Sequence, residues 1–153
     1  FNCRLCLRFV VRERNAFLSL LKRLNLLAPE INENLLLSSA RFDLSMLSGA
    51  GALAYSEEAT LQIIAADLHL PILSLRDKEF LARCEISEFS SMIQPDFCLE
   101  QQVLPLKRTD SGFLVVFANP MNIEAKKALE FMLQGIVTVG VAPAGEIEAL
   151  LKR

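Results

Sequence analysis

The apolar residues of this chain change their period once. Up to about residue 70 they recur every three or four positions, and beyond residue 102 they come in short, nearly continuous runs. Helical periodicity followed by strand-type runs points to an α+β protein, not to a bundle or a doubly wound sheet. Phe17, Leu18, Leu20, Leu21 and Leu24 keep the 3.6-residue rhythm of a first helix. Asn25 to Ala28 reads as a turn. Pro29 and Glu30 are expected to open a second helix, with Ile31, Leu35 and Leu36 on its buried face. Ser45 to Ala54 is small and weakly patterned. Ser56 then caps a third helix with Glu57 and Glu58 in its first turn and Leu61, Ile64, Ala65 and Leu68 as its apolar stripe. Pro71 cannot continue it. The segments from Leu26 to Glu30 and from Leu53 to Glu57 resemble each other at a spacing of 27, which suggests a tandem helix–turn–helix repeat.

The second half has strand chemistry. Val103 to Lys107 and Phe113 to Ala118 are β-type runs, and Thr109-Asp110-Ser111-Gly112 between them makes a hairpin turn. Ala125, Ala128, Leu129 and Met132 mark a helix that Gly135 is expected to end. Ile136 to Val141 is a third strand and Glu146 to Leu151 a last helix. The strand–helix–strand order implies a parallel crossover. The expected fold is therefore a helical N-terminal subdomain (1–75), a linker with short helices (76–102) and a ββαβα mixed-sheet lobe (103–153) with helices on one face.

Composition narrows the function. With 153 residues, 52% of them hydrophobic, the chain can bury a core without disulfides or metal. Sixteen basic residues against eighteen acidic ones give a net charge of −2, which argues against a nucleic-acid binder. No apolar run reaches the length of a bilayer span. The absence of Met at the start suggests a piece excised from a longer protein. The cysteine usage fits a reducing cytoplasm.

The literal motifs are weak. Gly49-Ala50-Gly51-Ala52-Leu53-Ala54 matches GxGxxG/A, but a dinucleotide turn needs a strand before it and a helix directly after. A small-residue loop packed between helices is the expected reading. Cys3 and Cys6 form a CxxC with no second pair at zinc spacing. His69 has no triad partner in the pattern, and there is no phosphate-binding GxxxxGK[ST]. The charge is uneven, however. Residues 1–23 carry Arg4, Arg8, Arg12, Arg14, Lys22 and Arg23 against Glu13 alone. Such a basic amphipathic helix can seat on an acidic partner or near anionic lipid.

With these elements in place, the chain resembles the N-terminal domain of the type II secretion and type IV pilus assembly ATPases, the general secretory pathway protein E family. Gln102 to Arg108 (QVLPLKR), Phe113 to Pro120 (FLVVFANP), Met121 to Ala125 (MNIEA) and the strand and helix from Gly135 to Leu151 carry the likeness. Upstream, Ser56-Glu57-Glu58 and Leu68 to Ile72 (LHLPI) add to it. The resemblance implies a non-catalytic docking module that brings a hexameric motor to the cytoplasmic part of an inner-membrane platform protein. It implies no cofactor in this chain, with ATP and magnesium confined to the protein's own C-terminal ATPase domain. It also implies a cytoplasmic location peripheral to the bacterial inner membrane, with membrane association indirect. The expected partner-binding residues are Arg12, Arg14, Lys22 and Arg23.

Some relatives bind cyclic di-GMP through two copies of a motif that begins Arg-Leu-Gly and continues to a Gly. Aligning Asn25 with the later Gly puts Ala16-Phe17-Leu18 in place of Arg-Leu-Gly. Aligning Gly51 puts Phe42-Asp43-Leu44 there. The arginine that would stack on guanine and pair with phosphate is missing from both, so tight binding is not expected. A cyclic di-GMP sensor stands as the alternative reading.

Overall fold

The structure is a computed structural model that describes residues 4–37, 42–89 and 91–152. Helices α1 (Arg4–Arg23), α2 (Glu33–Leu37), α3 (Leu44–Gly49) and α4 (Glu57–Leu68) come first. Three short helices follow: α5 (Lys78–Ala82), α6 (Ile86–Phe89) and α7 (Pro95–Gln101). Strands β1 (Val103–Arg108) and β2 (Gly112–Phe117), helix α8 (Ile123–Leu133), strand β3 (Ile136–Val141) and helix α9 (Ala144–Leu151) complete the chain. This is the expected α+β order with a ββαβα lobe.

The tandem repeat has a precise backbone form. At the end of α1, N–H groups of Leu24, Asn25 and Leu26 donate to the carbonyls of Leu20, Lys22 and Leu21. At the end of α3, Ala50, Gly51 and Ala52 donate to Met46, Ser48 and Leu47 in the same pattern, 26 residues later. Asn25 (φ 56) and Gly51 (φ 71) both take the left-handed backbone this ending requires. The two exits then pair with each other. Ala28 N–H donates to the Ala52 carbonyl at 2.7 Å and Ala54 N–H to the Leu26 carbonyl at 2.8 Å, with Leu27 opposite Leu53. A shift of 26 turns one bond into the other, so the period is 26 and not 27.

The pairing also explains why α2 does not open at Pro29. Residues 26–28 are held extended, residues 29–32 turn the chain, and the first bond of α2 runs from Leu36 N–H to the Asn32 carbonyl. The stretch that looked patternless holds α3, started by Asp43, whose carboxylate accepts from Met46 N–H at 2.7 Å. Ser56 caps α4 as expected, accepting from Ala59 N–H at 3.1 Å. His69 ends α4 in the left-handed region ahead of Pro71.

The sheet order is β1-β2-β3, with β1 antiparallel and β3 parallel to β2. Helices cover both faces, not one. Val115 and Phe117 of β2 pack with Ala125 and Leu129 of α8, while Val116 packs with Ile147 of α9. A central strand buried on both faces reads as an unbroken apolar run, which is what Phe113 to Ala118 is. The segment 76–102 adds to both layers: Phe80 and Leu81 join the α9 side, and Phe89, Ile93 and Cys98 the α8 side. Helix α8 ends at Gln134 (φ 54), one residue before the expected Gly135. Gly135 is needed for space instead, since a Cβ there would stand 2.7 Å from the Phe113 ring.

The helical half and the lobe meet at Val141. It is fully buried in the core formed by Phe17, Leu21, Leu26, Leu47 and Ile64. Ile72 forms a parallel bridge to it. Buried Asp43 also accepts from Gln102 Nε2 at 2.9 Å, across 59 residues of sequence.

Candidate functional site

The four basic residues expected to bind a partner do different things. Arg14 turns inward. Its guanidinium donates to the Leu37 carbonyl at 2.9 Å, at the C-terminal end of α2, and stands 5.4 Å from the centre of the Phe42 ring. Burial pulls its pKa below the ordinary arginine range. Lys22 pairs with Glu33 of α2. Arg23 makes a forked pair with Asp67 of α4 at 2.6 and 3.3 Å. The Arg12 side chain lies outside the described residues. Three of the four therefore fasten α1 to other parts of the helical half, Arg14 and Lys22 to α2 and Arg23 to α4. Lys22 and Arg23 remain at least half exposed there and keep donors toward solvent.

Beside them Glu13 is half-buried, and Glu124, in the first turn of α8, is its charged neighbour. Burial first, and the Glu124 charge second, push the Glu13 carboxyl up to about 7. At the start of α8, Asn122 Nδ2 donates to Gln101 Oε1 of α7 at 3.0 Å.

The two positions that align with the arginine of a nucleotide-binding motif, Ala16 and Phe42, are half-buried and carry no guanidinium. Phe17 and Leu18 are buried, and so are Asp43 and Leu44. Asp43 spends its carboxylate on α3 and Gln102. The GxGxxG stretch begins on the last residue of α3 and runs to α4, with no strand feeding it. That removes the dinucleotide-turn reading. Cys3 lies outside the described residues, as does the Cys6 side chain. Burial raises the thiol pKa of Cys84 against the pull of Lys107, and that of Cys98 to about 11, so neither is poised for thiolate chemistry. Among the described residues, no three His, Cys, Asp or Glu side chains gather as metal ligands. No described helix is long and apolar enough to cross a membrane.

Two surface features were not read from the sequence. A cleft of about 570 Å³ lies between α5 and α9, lined by Leu75, Leu81 and Leu150 with Arg76, Lys78 and Glu146. Arg76 Nε stands 3.4 Å from the Glu146 carboxylate. The other is the rim where α8 meets β3. There Phe131 is 83% exposed and Ile136 62%. Both were passed over because Phe131 lies off the apolar stripe of α8 and Ile136 merely begins a strand.

The fold is shared. A structure of MshE with cdg is 20% identical with a TM-score of 0.62, over 88% of this chain and 95% of that one. The N-terminal domain of XpsE is 17% identical with a TM-score of 0.64, over 92% and 94%. A second crystal form of it is 20% identical with a TM-score of 0.59, over 92% and 95%. No curated protein matches the chain. The MshEN domain model matches residues 68–153, which takes in β1 to α9 and the Ile72 bridge that ties them to the helical half. With more than half of its length under that model, the chain belongs to the MshEN domain family.

Proposed function

We propose that this chain is the non-catalytic N-terminal docking domain of a secretion or pilus-assembly ATPase. It brings the motor to the cytoplasmic part of an inner-membrane platform protein. The observation that carries the reading is the family match over residues 68–153. Hydrolysis of ATP belongs to the motor domain of the same protein, with its magnesium, and the hexamer forms through that motor. The chain itself contributes surface: an exposed basic seam at Lys22 and Arg23, and exposed apolar side chains on the lobe. The location is cytoplasmic, at the inner membrane through the platform.

Calorimetric titration of the chain with the platform's cytoplasmic domain tests this. Saturable binding that Lys22→Glu and Arg23→Glu weaken is expected. Both pairs are exposed, so each reversal costs folding about 1 kcal/mol or less and leaves the domain intact. A flat titration would sink the docking reading.

The alternative, a cyclic di-GMP sensor, draws on the likeness to MshE with cdg. The lack of an arginine at Ala16 and Phe42, and the burial of Phe17, Leu18 and Leu44, weigh against it. Ligand at a hundred times its Kd would add about 2.7 kcal/mol of stability. Addition of cyclic di-GMP is expected to leave Tm unchanged, and a rise of several degrees would reverse the choice.

A further inference from the structure

The edge of β3 remote from β2 is only partly covered. Val141 turns both backbone groups outward: its N–H donates to the Pro71 carbonyl and its carbonyl accepts from Leu73 N–H, each at 2.9 Å. Strand alternation then turns Val139 and Val137 outward as well. At Val137 the N–H donates to the Glu130 carboxylate at 3.2 Å, so a side chain stands where a neighbouring strand's carbonyl would stand. At Val139 neither backbone group has a partner on this edge among the described residues. The two most exposed large apolar residues of the described chain, Phe131 and Ile136, flank this stretch.

We propose that the free edge at Ile136–Val139 is a strand-docking site. Its occupant is an extended segment of a partner protein, apolar at alternate positions and bearing a Lys or Arg beside Glu130. The edge already accepts a strand, since Pro71–Leu73 lies on its other end. An incoming carbonyl displaces Glu130 from Val137 N–H and leaves that carboxylate beside the new strand. No Lys or Arg among the described residues is bonded to Glu130, so the partner supplies the cation. A second copy of this chain fits less well. Twofold pairing about Thr138 would bring two Glu130 carboxylates to one seam, where like charges repel. Phe131 and Ile136 give the segment apolar cover, and the main chain gives it register. The assignment rests on the docking reading above and names its surface.

The probe is the acetylated, amidated peptide Lys-Val-Thr-Val-Thr-Val, followed by amide hydrogen exchange. Excess peptide is expected to slow exchange at Val139 about tenfold while the amide of Val116, inside the sheet, stays unchanged. Ile136→Lys, an exposed change that leaves the fold intact, abolishes that protection. Glu130→Gln weakens this peptide about threefold and leaves the analogue with Thr for Lys unaffected. No protection at millimolar peptide, or protection that Ile136→Lys does not alter, overturns the assignment. So does a dimer of the chain that excludes the peptide. The platform's cytoplasmic domain is titrated in parallel. If it fails to bind while the peptide protects Val139, the docking reading falls and the strand site stands. If it binds wild type and Ile136→Lys alike, docking stands and the strand site is not its surface.

Discussion

Glu13 carries a cost that pH exposes. Its folded pKa of about 7 lies above the ordinary 4.5, because the carboxylate is partly desolvated and faces Glu124. The folded chain therefore holds a proton between those two values that the unfolded chain has released. Stability is greatest below about pH 4.5 for this group and falls as pH rises through 7. The full shift would correspond to about 3 kcal/mol, and partial exposure reduces it to about 1 to 2. Glu13→Gln removes the charge and keeps the shape. Urea unfolding is expected to show the variant more stable by that amount at pH 8 and equal to wild type at pH 4.5. A gain that is the same at both pH values would mean that Glu13 is not the titrating group. Thr60 is a second costly residue. It is fully buried on α4 and its hydroxyl has no hydrogen-bond partner. Thr60→Val replaces an unsatisfied hydroxyl with a methyl and should stabilise by about 1 kcal/mol, or about 2 to 4 °C in Tm. A fall in Tm would show that the hydroxyl is satisfied in solution.

Among the elements, α3 depends most on one residue. It is six residues long, rich in Ser and Gly, and would not hold alone. Asp43 begins it by accepting from Met46 N–H, and Leu44 and Leu47 bury it. The same carboxylate holds Gln102, the left-handed residue that ends α7. Asp43→Ala thus loses a cap and leaves the half-buried Gln102 amide without its acceptor. A loss of about 2 to 3 kcal/mol is expected, against about 1 for Ser56→Ala, where only a cap is lost. Chemical denaturation of the two variants side by side checks the ratio, and equal losses would mean the link to Gln102 contributes nothing. This element also marks the limit of periodicity. The helices α1, α4 and α8 and the strands β1, β2 and β3 were legible because each carries its own apolar pattern over six residues or more. The short α3 and the late start of α2 were not, since both depend on contacts with residues distant in sequence. The basic residues failed in the same way. A positive excess is visible in residues 1–23, but the partners Leu37 and Asp67 lie 23 and 44 positions from Arg14 and Arg23. A count of charges cannot tell a free cation from one that fastens its own fold. The strand edge was legible only as a third strand, because nothing in Ile136 to Val141 says which side has a neighbour.

For the molecule as a whole, the question is whether the helical half and the lobe unfold together. The boundaries expected at residues 75 and 102 imply parts that separate. Contacts across them argue for one cooperative unit. Val141 belongs to the lobe by its pairing with β2, yet its side chain lies in the core of the helical half. Asp43 and Gln102 join the same two parts, and Pro71–Leu73 from the helical half covers the Val141 end of the β3 edge. Small single domains of this size usually unfold in one step when such contacts are shared. Tyr55 is the sole tyrosine, there is no tryptophan, and Tyr55 precedes α4, so its fluorescence reports on the helical half alone. Far-ultraviolet circular dichroism reports on both halves. In urea the two signals should move through one midpoint. Val141→Ala, which leaves a cavity where the halves meet, should lower that midpoint for both signals by the same amount, at a cost of about 2 kcal/mol. If the halves were independent, the variant would split the transition, with Tyr55 melting first and most of the sheet signal remaining.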